Sequence, residues 1–307
     1  MQSHRFSCKA RLAVTILILG FATIATAQSQ TQPATRGSAR APARRGPISS
    51  SPRDKLPFTN SNLTNLDPKL PTLFITGDST AATGDPDHRG WAAILVDYFD
   101  TSKVNLANEG VGGARFNSYQ TTKWPQVMNA VKPGDYVVIQ FGQNSGPLAG
   151  IGDQTEEIAG RGGATTTMHT HGWYLRKFIA DVRAKQGIPI VMTLTLRNYW
   201  ADGKVERLKE QTKGAGGMSD WSRQVAAQEK ALLVDHSNII GDIYDAMGKD
   251  AVAKFFAGTE YLHTDTDGAT VNCEAFVAGL KAIPDMPLVN DLNEKGQAIK
   301  PYVPAAK

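Results

Sequence analysis

The sequence predicts an α/β fold, a sandwich of helices around a parallel sheet, and three observations point there. Short apolar runs rich in β-branched residues recur along the chain, with polar turns at their ends. Amphipathic stretches at three- and four-residue spacing lie between them. The strand-like runs and the helical stretches alternate, which calls for right-handed crossovers.

The expected strands are Leu73–Thr76, Val104–Ala107, Tyr136–Phe141, Ile188–Leu194 and Ala231–Val234. Trp91, Ile94, Leu95 and Tyr98 mark one helix, and Trp173, Phe178, Ile179 and Val182 a second, ending before Gly187-Ile188-Pro189. Trp221, Val225 and Ala226 follow Ser219-Asp220 as a third, and a last helix runs from Asp267 or Gly268 to Leu280. Trp91 and Trp173 fall on apolar faces and are expected in the core. Two Gly-rich excursions, 146–171 and 198–218, interrupt the rhythm and read as rims of a site. Within the first, Gln154–Ile158 and Thr165–His169 flank Gly160-Arg161-Gly162-Gly163 as a small hairpin. The last 27 residues carry four prolines and little periodicity, and are expected to wrap the surface.

The two ends of the chain bound its setting. Arg5, Lys9 and Arg11, the apolar stretch Leu12–Ile24 and Ala25-Thr26-Ala27 form the pattern of a cleaved export signal over residues 1–27. Residues 28–56 are a Ser/Pro/Arg-rich leader without apolar periodicity, expected to be disordered. Residues 57–307 are expected to form a single domain. Residues 1–27 hold three basic and no acidic residues, so the chain beyond them has 30 basic against 29 acidic. The leader removes six basic and one acidic, and the remaining body is 24 against 28, a net of −4. The basic balance of the whole chain therefore argues for no nucleic-acid surface. Cys273 is the one cysteine beyond the signal and sits in an apolar helical stretch, as a buried thiol does.

Ser79 ends the run Leu73-Phe74-Ile75-Thr76-Gly77-Asp78 on a sharp turn, where a serine can be presented to a substrate. A serine nucleophile needs a base, an orienting carboxylate and fixed donors for an oxyanion. His263 is the candidate base. Glu260, three residues before it, is the candidate carboxylate, with Asp265 and Asp267 also nearby. The backbone N–H groups of Ser79 and Gly113 and the side-chain amide of Asn144 are the candidate oxyanion donors. Ser79, Gly113 and Asn144 each follow a strand-like run, and ligands of open α/β sheets bind beyond the carboxyl ends of the strands. His169 and His171 form an H-x-H pair without an evident third ligand, and read as structural or rim residues rather than a metal site. Asp85, Asp87 and His88 read the same way, or as a lining of the acyl side of the cleft. Trp200, in a polar excursion, is a candidate platform for stacking a sugar.

Gly77-Asp78-Ser79, Asn108-x-x-x-x-Gly113, Gly142-x-Asn144 and the carboxylate-x-x-His263 element resemble, in order, the four blocks of the SGNH (GDSL-type) hydrolases. More narrowly, Phe74 to Thr80, Gln140 to Asn144, Gly172 to Lys177 and His263-Thr264-x-x-x-Gly268-Ala269 are similar to rhamnogalacturonan acetylesterases. The resemblance implies a flavodoxin-like three-layer α/β/α sandwich and metal-free ester hydrolysis without a cofactor. It implies Ser79 as nucleophile, His263 as base, Glu260 as its partner, and Gly113 and Asn144 in the oxyanion hole. The chain departs from the family pattern where Glu260 replaces the usual Asp, Ser145 follows Asn144, and Ala114-Arg115 follows Gly113. The expectation is an exported or periplasmic carbohydrate esterase, a monomer acting on acetylated pectic polysaccharide. No nucleic-acid partner and no stable membrane insertion after signal cleavage are expected. The alternatives are an esterase for lipid or small aryl esters, and a polysaccharide-binding relative without turnover.

Overall fold

The computed structural model describes residues 63–144, 146–159, 165–207 and 217–304. The signal-like and leader segments, Ser145, residues 160–164, residues 208–216 of the second excursion and residues 305–307 lie outside the described residues.

Five strands form one parallel sheet: β1 (Thr72–Gly77), β2 (Asn105–Asn108), β3 (Tyr136–Gln140), β6 (Ile188–Met192) and β9 (Leu232–Val234), in the order β2-β1-β3-β6-β9. Each predicted strand is present: β1 extends past its apolar run by one residue at each end, β2 is shifted by one, and β3, β6 and β9 are shorter than theirs. Counting only these five, the order is 2-1-3-4-5, the flavodoxin-like arrangement. Its direction reverses between β1 and β3, which opens a crevice at their carboxyl ends.

Strand side chains alternate across a sheet, and β1 shows the consequence. Leu73 and Ile75 face one apolar cluster and Phe74 the other, all three fully buried. The Leu73 side is covered by the 3-10 segment Trp91–Asp97, by α5 (His236–Met247), the short α6 (Lys249–Val252) and α7 (Thr266–Lys281), through Trp91, Ile239, Tyr244, Val252 and Phe276. The Phe74 side is covered by α1 (Phe116–Thr122), α2 (Trp124–Ala130), α3 (His171–Ala184) and α4 (Gly217–Glu229), through Phe116, Trp124, Phe178 and Val225. Helices on both faces make the three layers. Cys273 is buried in α7, and burial pushes its thiol pKa well up.

The first excursion does contain the expected hairpin, β4 (Thr155–Ala159) against β5 (Thr165–His169), antiparallel. The second holds a short pair, β7 (Trp200–Ala201) and β8 (Lys204–Val205). Trp173 is half-buried and stacks on His169 with ring centroids 3.6 Å apart. Three features differ from expectation. The Trp91 helix is 3-10 rather than α. Helices α1 and α2, seven residues each, are too short to stand out by periodicity, and α5 was not expected although its buried Ile239, Ile240 and Tyr244 recur at helical spacing. The tail does more than wrap, for it folds as the 3-10 segment Pro287–Asp291 and α8 (Glu294–Ala298), burying Leu288 and Leu292 against the Leu73-side cluster.

Two buried histidines carry a consequence for acid stability. His171 Nε2 meets Ser222 Oγ at 3.0 Å, and His236 Nε2 donates to the Asn272 carbonyl at 3.0 Å. Burial pulls their pKa values from 6.5 down to about 3 and about 4. Both folded values lie below the unfolded one, so the stabilisation is complete above about pH 6.5 and is lost as pH falls through the two folded values. Between pH 7.5 and 5, the unfolding free energy is expected to drop by on the order of 2 kcal/mol per ring. Urea midpoints at the two pH values measure this, and His171→Gln is expected to remove about half of the drop. Equal midpoints at both pH values would show that the rings fold charged.

Candidate active site

The site grows from the carboxyl ends of β1, β2 and β3. β1 ends at Gly77, where a Cβ would stand 2.9 Å from the Gln140 carbonyl of β3, so only glycine lets the strands stay this close. Asp78 follows, fully buried. One oxygen accepts from the Thr80 N–H at 3.0 Å and the Thr80 hydroxyl at 2.9 Å, and the other from the Gln143 N–H at 3.3 Å. Burial pushes its carboxyl pKa up, opposed by these hydrogen bonds and by His263. Asp78 thus ties the turn after β1 to the turn after β3. Ser79 sits on that turn half-exposed.

The segment after β2 is held in the same way. The Val111 N–H donates to the Gly77 carbonyl at 3.0 Å, and the Asn108 amide to the Ala81 carbonyl at 2.9 Å. Gly113 has φ of +72°, a left-handed conformation that disfavours any side chain although the position a Cβ would take is open. One N–H of the Asn144 amide donates to the Ala114 carbonyl at 3.0 Å, and the amide has a second N–H to offer. The segments carrying Ser79, Gly113 and Asn144 are therefore cross-linked at one end of the sheet.

His263 reaches this corner from the loop before α7. Its Nε2 lies 2.8 Å from Ser79 Oγ, across 184 positions of sequence. Asp265, an alternative partner for the ring in the sequence, instead caps α7 by accepting from the Gly268 N–H at 2.9 Å. The loop is pinned on its other side by the Arg89 N–H, which donates to the Thr264 carbonyl at 2.7 Å.

Glu260 serves the ring and the loop together. Its Oε2 stands 3.6 Å from His263 Nδ1, a charge contact rather than a hydrogen bond. Its Oε1 accepts from the N–H groups of Tyr261, Leu262 and His263 at 2.9, 2.8 and 3.4 Å. Burial would raise the Glu260 pKa, but these three N–H groups and His263 together bring it below the ordinary value. Glu260 is thus held as the anion beside the imidazole. Apo contacts of this kind often tighten when substrate binds.

His88 stands edge-on to His263, ring centroids 5.6 Å apart, with its Nδ1 3.3 Å from Asp85. Of the H-x-H pair, His169 goes to its stack on Trp173 and His171 to the interior. Trp200 is half-buried against the Leu73-side cluster and its indole N–H donates to Asn198 at 2.8 Å. Its neighbour Tyr199 is half-buried too, and turns to a different partner. Tyr199 stacks on Tyr261 at 5.1 Å and 23°. Asp78 and Arg197, both bonded to Gln143 beside Asn144, and the tyrosine pair that Arg197 adjoins are residues that sequence reasoning passed over. Asp78 was visible in the Gly-Asp-Ser turn, whereas no local signal marks Arg197 or the tyrosines.

Residues 73–160 match the family model of GDSL-like lipases and acylhydrolases. The chain is 29% identical over 224 residues to the rhamnogalacturonan acetylesterase of Emericella nidulans, covering 69% of this chain and 84% of that protein. It is 22% identical over 227 residues to the probable rhamnogalacturonan acetylesterase YesY of Bacillus subtilis, covering 72% and 96%. The crystal structure of Bacillus subtilis YxiM superposes with a TM-score of 0.56 at 19% identity, over 69% of this chain and 56% of that one. The chain thus spans little more than half the length of that solved protein.

Proposed function

Because the chain belongs to the SGNH (GDSL-type) ester hydrolases, in a group like the rhamnogalacturonan acetylesterases, we propose that it removes acetyl groups from a polysaccharide through Ser79. The observation that carries this reading is the 2.8 Å contact between His263 Nε2 and Ser79 Oγ. His263 takes the hydroxyl proton as Ser79 Oγ attacks the acetyl carbonyl. The Ser79 and Gly113 N–H groups and the free N–H of the Asn144 amide receive the oxyanion. The sugar hydroxyl leaves with the proton from His263, and water, activated by the same ring, releases acetate. Glu260 holds the imidazole and stabilises its charged form.

The substrate we propose is acetylated rhamnogalacturonan, the polymer named for both curated relatives. Export follows from the signal-like pattern of residues 1–27. No helix among the described residues is long and apolar enough to cross a membrane.

Acetate release from acetylated rhamnogalacturonan, acetylated xylan and long-chain aryl esters tests the substrate class. The acetylated pectic polymer is expected to give the highest kcat/KM, by about tenfold or more, roughly the effect of one well-placed polar contact. A preference for long acyl chains would replace this reading with a lipid esterase.

A further inference from the structure

The leaving oxygen must lie at His263 Nε2 to collect its proton, so the ring that bears it lies on the rim outside His263. Tyr261, two residues before that histidine, is 44% exposed, and it is the one aromatic among the exposed large apolar side chains of the described residues. That exposure remains after its neighbours have taken their contacts. Tyr199 stacks on its ring, and the Arg197 guanidinium stands 5.7 Å from the ring centroid. Arg197 in turn donates to the Gln143 carbonyl at 3.1 Å and to the Gln143 side-chain oxygen at 3.2 Å, beside Asn144. The Tyr261 carbonyl accepts from the Asn198 N–H at 2.8 Å, and its N–H donates to Glu260.

The exposed ring is therefore held against the segment of Arg197 and Tyr199, which Arg197 clamps to the Asn144 turn. A surface aromatic held only to fill space has no need of such a clamp. A binding surface does, since a ring fixed beforehand loses little freedom when a ligand arrives. The flat apolar face with a hydroxyl at its tip matches a pyranose, which offers a patch of C–H groups ringed by hydroxyls.

On the reading that the enzyme deacetylates carbohydrate, we infer that Tyr261, backed by Tyr199 and Arg197, is the subsite on which the sugar ring carrying the acetyl ester stacks.

The test is a ratio: kcat/KM for an acetylated rhamnogalacturonan oligosaccharide over kcat/KM for vinyl acetate, which has the acyl group and no ring. Tyr261→Ala is expected to lower that ratio about tenfold, chiefly through KM, and Tyr261→Phe to hold it within about twofold. The alanine keeps the backbone N–H that Glu260 accepts, so the loop anchor is preserved. A ratio that does not move, or equal proportional losses on both esters, overturns the subsite. A wild-type enzyme that cleaves vinyl acetate but no acetylated sugar overturns the carbohydrate reading instead, and the subsite falls with it.

Discussion

Replacing Ser79 by alanine is expected to lower acetate release by about 10⁴-fold or more, the scale seen when a serine nucleophile is removed from its catalytic unit. Nothing nearby takes over its role. The hydroxyl of Thr80 is the closest in sequence, but it is buried and donates to Asp78 at 2.9 Å. Ser79 contributes little to packing, since it is half-exposed and its side chain meets His263, so the variant is expected to fold with an unchanged urea midpoint. A fluorophosphonate probe gives a second readout independent of substrate. It is expected to label wild-type protein once, at Ser79, and the variant not at all, because an unactivated serine does not react. Retention of more than about one hundredth of wild-type activity would remove Ser79 from the mechanism.

The second large effect belongs to His263. Its replacement by alanine is expected to cost about as much as loss of Ser79, because a serine hydroxyl is a poor nucleophile until its proton has somewhere to go. Residues acting as one unit are not additive, so the double variant Ser79→Ala/His263→Ala is expected to be no slower than either single one. If the two losses multiplied instead, the 2.8 Å contact would be a structural hydrogen bond and not a proton path. Glu260 would then lose its purpose as an anion at the ring and keep only its three backbone contacts.

How far the sequence could be read depended on how local the signal was. β1 and β3 were legible because every residue in them is buried, which leaves the apolar runs Leu73–Ile75 and Tyr136–Ile139 at their centres. The pair β4 and β5 was legible although its strands are largely exposed, because a glycine-rich stretch separates them in the sequence. Helices α1 and α2 were not, since each is only seven residues long and spans too few turns for a period to show. Trp200 shows the limit on the functional side. Composition placed an indole in a polar excursion, but what each of the adjacent aromatic rings packs against is decided by residues distant in sequence. Trp200 packs against the core, and Tyr199 stacks with Tyr261.

The sequence by itself determined the sandwich, the order of its strands along the chain, and the residue types that can do acyl transfer. Periodicity of burial and the chemistry of single side chains are properties of neighbouring residues. Only the tertiary structure decided that Ser79 and His263 meet, that Asp78 binds the Asn144 turn from beneath, and that Glu260 divides itself between a ring and its own loop. Those outcomes rest on segments up to 184 positions apart that are brought together by the reversal of strand order between β1 and β3 and by packing on the two faces of the sheet. No short stretch of chain carries that information.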